Sequence, residues 1–499
     1  MDLPFSLPVI VATGTALLLA TAIWIYLLTK RVEKPNLRVF EVTDGNVVGK
    51  LEEAYRECPD EPFLFSMAGM SVVVLPVADI ETIRTLPETD VSIKHHHYNV
   101  FLGEYSYMGT KADEFDATMR HTLTRNTPVV LASFTAEVEY AMKQCIGEVS
   151  PDSWKPVKVR GAMSRVASLM SGRAFVGLPL SRDPIWVEAT VNYTQDVSRA
   201  WMKLIMLPWP LRPIIAPFLK EVRNLLRQRA VNEERLAPLI EQKRAGLGKD
   251  KTVPGGDMIE WFMQEYENNH PTPQELGRDQ LLATFASIYN LSNALSYIIY
   301  DLAGYPDFIA ELRQEVIDVV GEGGRIDKAT LPKLRKLDSF ARESQRMNPP
   351  SLVNIPRVVT NPKGLRTASG HIIPKGNTTT IRAHPINQDP KLWKDPSKFD
   401  GLRFEKLRQL PENAQKYQHS STGVDNINFG HGIWACPGRF FAAAEIRVVM
   451  AYCLMNYDLR VVPGEQKPGQ VHYGLATLPD GERSIEFRQR TPEINIRWE

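Results

Sequence analysis

The sequence has little of what staples or divides a long chain. Only four cysteines (Cys58, Cys145, Cys436 and Cys453) occur in 499 residues, and no two share a C-x-x-C spacing. That excludes a disulfide framework and a paired-cysteine redox motif, and it suits a reducing compartment for the body of the chain. No Gly/Ser linker, long run of like charge or internal repeat breaks the sequence. Length alone would allow two or three domains, but the missing linkers favour one large body. With 59 basic against 58 acidic residues there is no excess charge to attract nucleic acid. No phosphate-cradling glycine motif is present either, so the chain has no evident nucleotide or flavin site of its own.

One absence is local. From Leu3 to Thr29 there is no charged residue, and Leu, Ile, Val and Ala dominate. The stretch is long enough to cross a bilayer as one helix. Trp24 and Tyr26 sit near its end, as interface anchors would. It lacks the basic start of a secretory signal, and its apolar run is too long for one. Lys30, Arg31 and Lys34 follow, whereas Asp2 is the only side-chain charge before it, so the rest of the chain is expected on the cytosolic side. We therefore expect residues 1–34 to be a transmembrane anchor with a basic flank, and 35–499 a catalytic domain.

What is present centres on Phe429–Ala444, FGHGIWACPGRFFAAA. Two glycines precede Cys436, Gly438 follows it, and apolar residues at helical spacing run on from Arg439. A cysteine at the end of such a loop, at a helix start, meets free backbone N–H groups and the positive end of the helix dipole, which favour a thiolate. A thiolate in an apolar loop suits haem iron, although a lone cysteine is more often a buried structural one.

The full spacing Phe429-x-x-Gly432-x-x-x-Cys436-x-Gly438-x-x-x-Ala442 resembles the haem-binding signature of the cytochrome P450 family at every fixed position. The resemblance implies a mainly helical P450 fold, a large helical domain with a small β region, and haem b with Cys436 as its axial iron ligand. Glycines there let backbone pass close beneath the porphyrin, and thiolate donation favours O–O cleavage. It further implies O2 as co-substrate, electrons from NADPH through a separate cytochrome P450 reductase, and anchoring in the endoplasmic reticulum membrane.

Other motifs carry the resemblance along the chain. Glu343 and Arg346 in FARESQRM stand three apart, so they meet on one helix face. They resemble the family's E-x-x-R, with Arg403 as third, structural partner. In MRHTLTRN, His121 and Arg125 take the places of the family's W-x-x-x-R, which makes Arg125 a propionate partner. Arg357 resembles a second one. Trp434 stands where the family has Arg or His, and an indole offers one N–H and no charge. Leu352, Val353 and Ala286 resemble pocket residues, and Tyr98–Ser106 resembles the loop before the C helix. Gly474–Asp480 resembles a hairpin near the pocket. His95–His97 reads as loop surface, because three neighbouring imidazoles diverge on any regular element. The proline-rich Leu207–Pro217 reads as a packed loop or a membrane contact.

Asp279–Leu302 is apolar on nearly every face and predicts a buried central helix. In its middle, Tyr289 and Asn290 replace the family's acid and threonine. A hydroxyl can donate and accept at once and so relay a proton along water. An amide can hold a water but cannot relay. Two readings follow: a monooxygenase with a rewired water network, or a haem-thiolate isomerase, cyclase or dehydratase that needs no oxygen. A haem sensor without turnover is a third. The run MNPPSLV with CPGRFFA resembles membrane-bound fungal enzymes of secondary metabolism, which implies an apolar, terpenoid or meroterpenoid-like substrate that is hydroxylated, epoxidised or desaturated.

Overall fold

The computed structural model describes residues 14–15, 19–21, 32–67, 70–106, 108–109, 113–246, 256–266 and 271–498. The expected anchor therefore lies almost wholly outside the described residues, among which no helix is long and apolar enough to cross a membrane.

The architecture is mainly helical, with a six-stranded sheet at one side. Strands β1 (Val39–Val42), β2 (Phe63–Met67), β3 (Met70–Leu75), β4 (Val91–Ser92), β5 (Val353–Val359) and β6 (Thr378–Arg382) lie in the order β1-β2-β3-β6-β5-β4. The first three come from the apolar runs before residue 90, and the others enter from far along the chain. β1–β2 and β3–β6 are parallel; the remaining pairs are antiparallel. Near the end, β7 (Gln470–Tyr473) and β8 (Ala476–Pro479) form the expected hairpin around Gly474, whose φ of 58° suits the turn. The carbonyl of Leu475 at its tip accepts the N–H of Leu352.

Five helices position the site: α1 (Ile93–Val100), α2 (Val159–Val176), α3 (Pro273–Gly304), α4 (Arg335–Met347) and α5 (Arg439–Asn456). α3 is the long central helix, slightly longer than its apolar pattern indicates. It starts at a capping box in which Thr272 and Glu275 satisfy each other's backbone N–H groups. It packs on α2 and α5, and the apolar residues of all three build the main core. Smaller cores sit on the two faces of the sheet, around Ile381 on one and Phe63 on the other.

Between α2 and α5 lies a fully buried carboxyl, Glu445, within reach of the Ser171 hydroxyl at 3.3 Å. Burial holds it protonated, far above the usual carboxylate range. The folded state thus keeps a proton that the unfolded chain releases above about pH 4.3, and this contribution to stability is lost as pH rises from there towards the folded value. Glu445→Gln, which cannot ionise, is expected to lose less stability than wild type between pH 5.5 and 8. Unfolding midpoints of both proteins at the two pH values test this; parallel shifts would show that the carboxyl is ionised in the fold.

Candidate active site

The loop ahead of α5 is docked onto the chain entering the sheet. Gly432, at φ 78°, lies so close to Arg84 that a Cβ would run into its carbonyl. That carbonyl accepts the N–H of Ile433 at 2.9 Å, and the indole of Trp434 donates to Leu86 O at 2.8 Å. Within the loop the Cys436 N–H donates to Phe429 O at 2.7 Å. Burial pushes the Cys436 thiol up, while the backbone N–H groups of Gly438 and Arg439 and the Arg439 charge pull it back. The expected thiolate-favouring donors are therefore present, but burial outweighs them in the protein alone. A cation against the sulfur reverses that balance, because its charge is the largest one nearby.

Beneath the loop, Glu343, Arg346 and Arg403 meet out of solvent. Arg346 is bidentate on Glu343 (2.8 and 2.9 Å), and Arg403 Nε reaches both carboxylate oxygens (3.1 and 3.2 Å). The Asp400 N–H adds a fourth donor at 2.9 Å. The free arm of Arg346 donates to the carbonyls of Asn387 (2.6 Å) and Pro396 (2.8 Å). Asn387 in turn pairs with Asn428, which begins the cysteine loop. Four donors on one carboxylate are what a buried charge needs to be tolerated.

On the opposite wall, α3 is buried around most of its middle, yet Ala286 and Asn290 are exposed, one turn apart on one face. Both interrupt an otherwise buried stretch of the helix. The Asn290 amide nitrogen donates to Ala286 O at 3.1 Å, which fixes its orientation and leaves the amide oxygen directed elsewhere. Tyr289 lies a residue round the helix. Its ring stacks on Phe285 at 5.9 Å, and Phe285 meets Phe101 edge-on at 5.3 Å. Burial raises the Tyr289 hydroxyl, so it is no acid for the site at neutral pH.

The other expected residues differ in their surroundings. Arg125 and His121 are exposed, and among the described residues Arg125 donates to the His121 carbonyl of its own helix, at 3.4 Å. Residues Thr118–Thr122 form a π turn, which adds a residue to the turn just ahead of Arg125. The arginine that reaches the loop is Arg120, which donates to Ile433 O and lies 4.0 Å over the Trp434 ring. Trp434 is not a propionate donor, since its only N–H is spent on Leu86. Leu352 and Val353 pack into the core around Phe63 and Phe65 and do not line open space. His95–His97 is no loop: it lies in α1, capped by Ser92, with His96 half-buried and His97 exposed. Tyr98 belongs to the same helix, and Gly103–Ser106 forms a further turn of helix.

Arg357 sits where the sequence places it, in β5 and buried. Its Nε and Nη2 have no protein partner, while one Nη donates to Pro356 O at 2.7 Å. It leaves a bulge in the β5–β6 ladder between Asn354 and Arg357, where Ile355 takes φ 55°. A branched residue in that region, ahead of a proline, is strained by about 1–3 kcal/mol. Asn354 holds the bulge by accepting the Ile355 N–H (2.8 Å) and donating to Asn428 O (3.1 Å). An orphaned buried guanidinium, a cysteine held by backbone donors and an open face on α3 together fit a flat iron porphyrin with anionic edges.

The family comparison decides the matter. The model of the Cytochrome P450 family matches residues 118–487. The chain belongs to the cytochrome P450 family. It is 56% identical over 479 residues to cytochrome P450 monooxygenase ataF of Aspergillus terreus, across 96% of this chain and 95% of that one. To cytochrome P450 monooxygenase gliF of Aspergillus fumigatus it is 54% identical over 481 residues, across 94% and 95%. The fold resembles the retinoic-acid-bound cyanobacterial CYP120A1 with a TM-score of 0.68 over 92% of this chain, at 17% identity. The protein is a haem-thiolate monooxygenase with haem b as cofactor, which resolves the two readings opened at Asn290 in favour of oxygen chemistry.

Two sets of variants test the geometry. Glu343→Ala or Arg346→Ala leaves a buried charge unpaired, at a cost of about 3–5 kcal/mol, and should abolish haem incorporation; a normal reduced-CO spectrum would contradict this. Arg120→Ala should loosen the cysteine loop and lower haem content, whereas Arg125→Ala should leave it unchanged, and the reverse result would restore the regular helical pairing.

Proposed function

We propose that this monooxygenase is held in the endoplasmic reticulum membrane by residues 1–34, and that 35–499 is its cytosolic catalytic domain. Its substrate is an apolar intermediate of fungal secondary metabolism, terpenoid or meroterpenoid-like, which is hydroxylated, epoxidised or desaturated. Electrons come from NADPH through a separate reductase. The observation that carries the catalytic part is the cysteine cradled by backbone donors at the start of α5.

When bound, haem supplies oxygen activation. Cys436 would ligate its iron and Arg357 would face a propionate. Ala286 would leave room beside the haem, and Phe101 and Phe285 would offer apolar walls that select by shape and exclude water. Asn290 holds a water by its amide oxygen but passes no proton itself, so protons travel through water ordered beside it. Two features support the membrane reading. One is the charge-free run from Leu3 to Thr29. The other is an exposed apolar patch of Met206, Trp209, Leu211, Ile214 and Phe218, in which Met206 and Phe218 are 77% and 74% exposed.

Reconstituted with reductase, NADPH and isotopically labelled O2, the protein should give products carrying one labelled oxygen, or desaturated products with matching O2 and NADPH uptake. A product of unchanged mass formed without NADPH would overturn the reading. In cells, the full chain should resist carbonate extraction. Without residues 1–34 it should stay loosely membrane-bound, and Met206→Glu with Phe218→Glu should then release it. Release of the full chain by carbonate would refute the anchor.

A further inference from the structure

Trp434 has given up the donor role that its position in the loop implies, and Arg357 retains two buried nitrogens without a partner. The groups beside Arg357 are two imidazoles. β4 pairs with β5 so that Ser92 faces Val358, which places the start of α1 one residue from Arg357. α1 packs on β5, and His96 lies one helical turn in. The rings of His96 and His97 are 5.7 Å apart. Among the described residues neither has a hydrogen-bond partner. Burial, then mutual proximity and the Arg357 charge, hold His96 at about 3, and burial with Arg357 holds His97 at about 4. Both are neutral at physiological pH, and each keeps a ring N–H to donate. Arg120 adds its field from the loop side and Glu88 is the balancing acid.

These groups supply donors and positive charge beside the buried Arg357, and donors of that kind call for carboxylates. We propose that His96 and His97, together with Arg357, hold the haem propionates, taking over the anchoring that the loop position of Trp434 does not provide. Two neutral imidazoles then serve where a cation would stand. They satisfy the carboxylates by hydrogen bonding and leave more of the negative charge uncancelled.

The inference rests on haem binding against Cys436, and the test separates the two. Full-length holoprotein in phospholipid nanodiscs, with no substrate added, is compared as wild type, His96→Ala/His97→Ala and His96→Gln/His97→Gln. Haem transfer to apomyoglobin and the ferric/ferrous midpoint potential are measured. The alanine pair should release haem faster by about tenfold for each donor lost and shift the potential. The glutamine pair, which keeps an N–H at each position, should stay within about threefold of wild type, well short of one lost donor. Haem release and potential unchanged in the alanine pair would overturn the proposal, and so would a glutamine pair as leaky as the alanine pair, because the rings would then act by packing. A carboxylate of substrate in place of the propionates would leave both readouts unchanged and counts against it too. A wild type without the thiolate reduced-CO band would instead sink the haem reading beneath it.

Discussion

Glu343 is the point from which the site is hung. A carboxylate with no access to water is costly, and replacing such a pair with apolar residues often costs nothing in stability. What the apolar replacement could not do is hold backbone. Here the two guanidiniums that neutralise Glu343 spend their remaining donors on main-chain carbonyls: Arg346 on Asn387 and Pro396, and Arg403 on Lys394 and Lys398. The segments so pinned are irregular and would otherwise bury unsatisfied carbonyls. Through Asn387 and Asn428 the same network ends at the loop that presents Cys436. The charge cluster thus fixes a conformation, and the conformation aims the sulfur.

The bulge at Ile355 belongs to the same logic. A regular β5 would alternate its side chains and commit Arg357 to the ladder's own face. The inserted kink re-aims it, and a strained backbone is the consequence. The strain persists because Asn354 is held at both ends, by the Ile355 N–H and by Asn428 O. Asn428 therefore joins the pin beneath the cysteine to the strand that carries the guanidinium. Sulfur and guanidinium sit on different elements, but their relative placement depends on one asparagine.

The sequence showed those parts of the site whose roles are set by fixed residue types at fixed spacing. The cysteine loop, the Glu343–Arg346 pair and the long central helix could be read because a thiolate cradle, an i, i+3 pair and an all-round apolar helix are local patterns. Arg120 was missed because a single π turn moves the register, and no composition signal marks a π turn. Leu352 and Val353 were misplaced because a strand's two faces cannot be told apart until its neighbours are known. His96 and His97 read as loop because three adjacent polar residues imply one unless a capping serine and a partner strand are seen to hold them in a helix. Asn354 and Asn428 gave no signal at all, since their importance lies only in what they join.

Asn290 shows how a departure from pattern is absorbed. Its amide nitrogen is held by the Ala286 carbonyl one turn back, the kind of local bond by which a polar side chain competes with a helix's own ladder. With the nitrogen so engaged, the group left free of the helix is the amide oxygen, an acceptor with no proton to exchange. Tyr289 cannot make good the loss, because its ring is stacked against Phe285 and its hydroxyl is raised by burial. Neither side chain is thus placed to pass a proton, since the amide has none to exchange and the phenol is held neutral by burial.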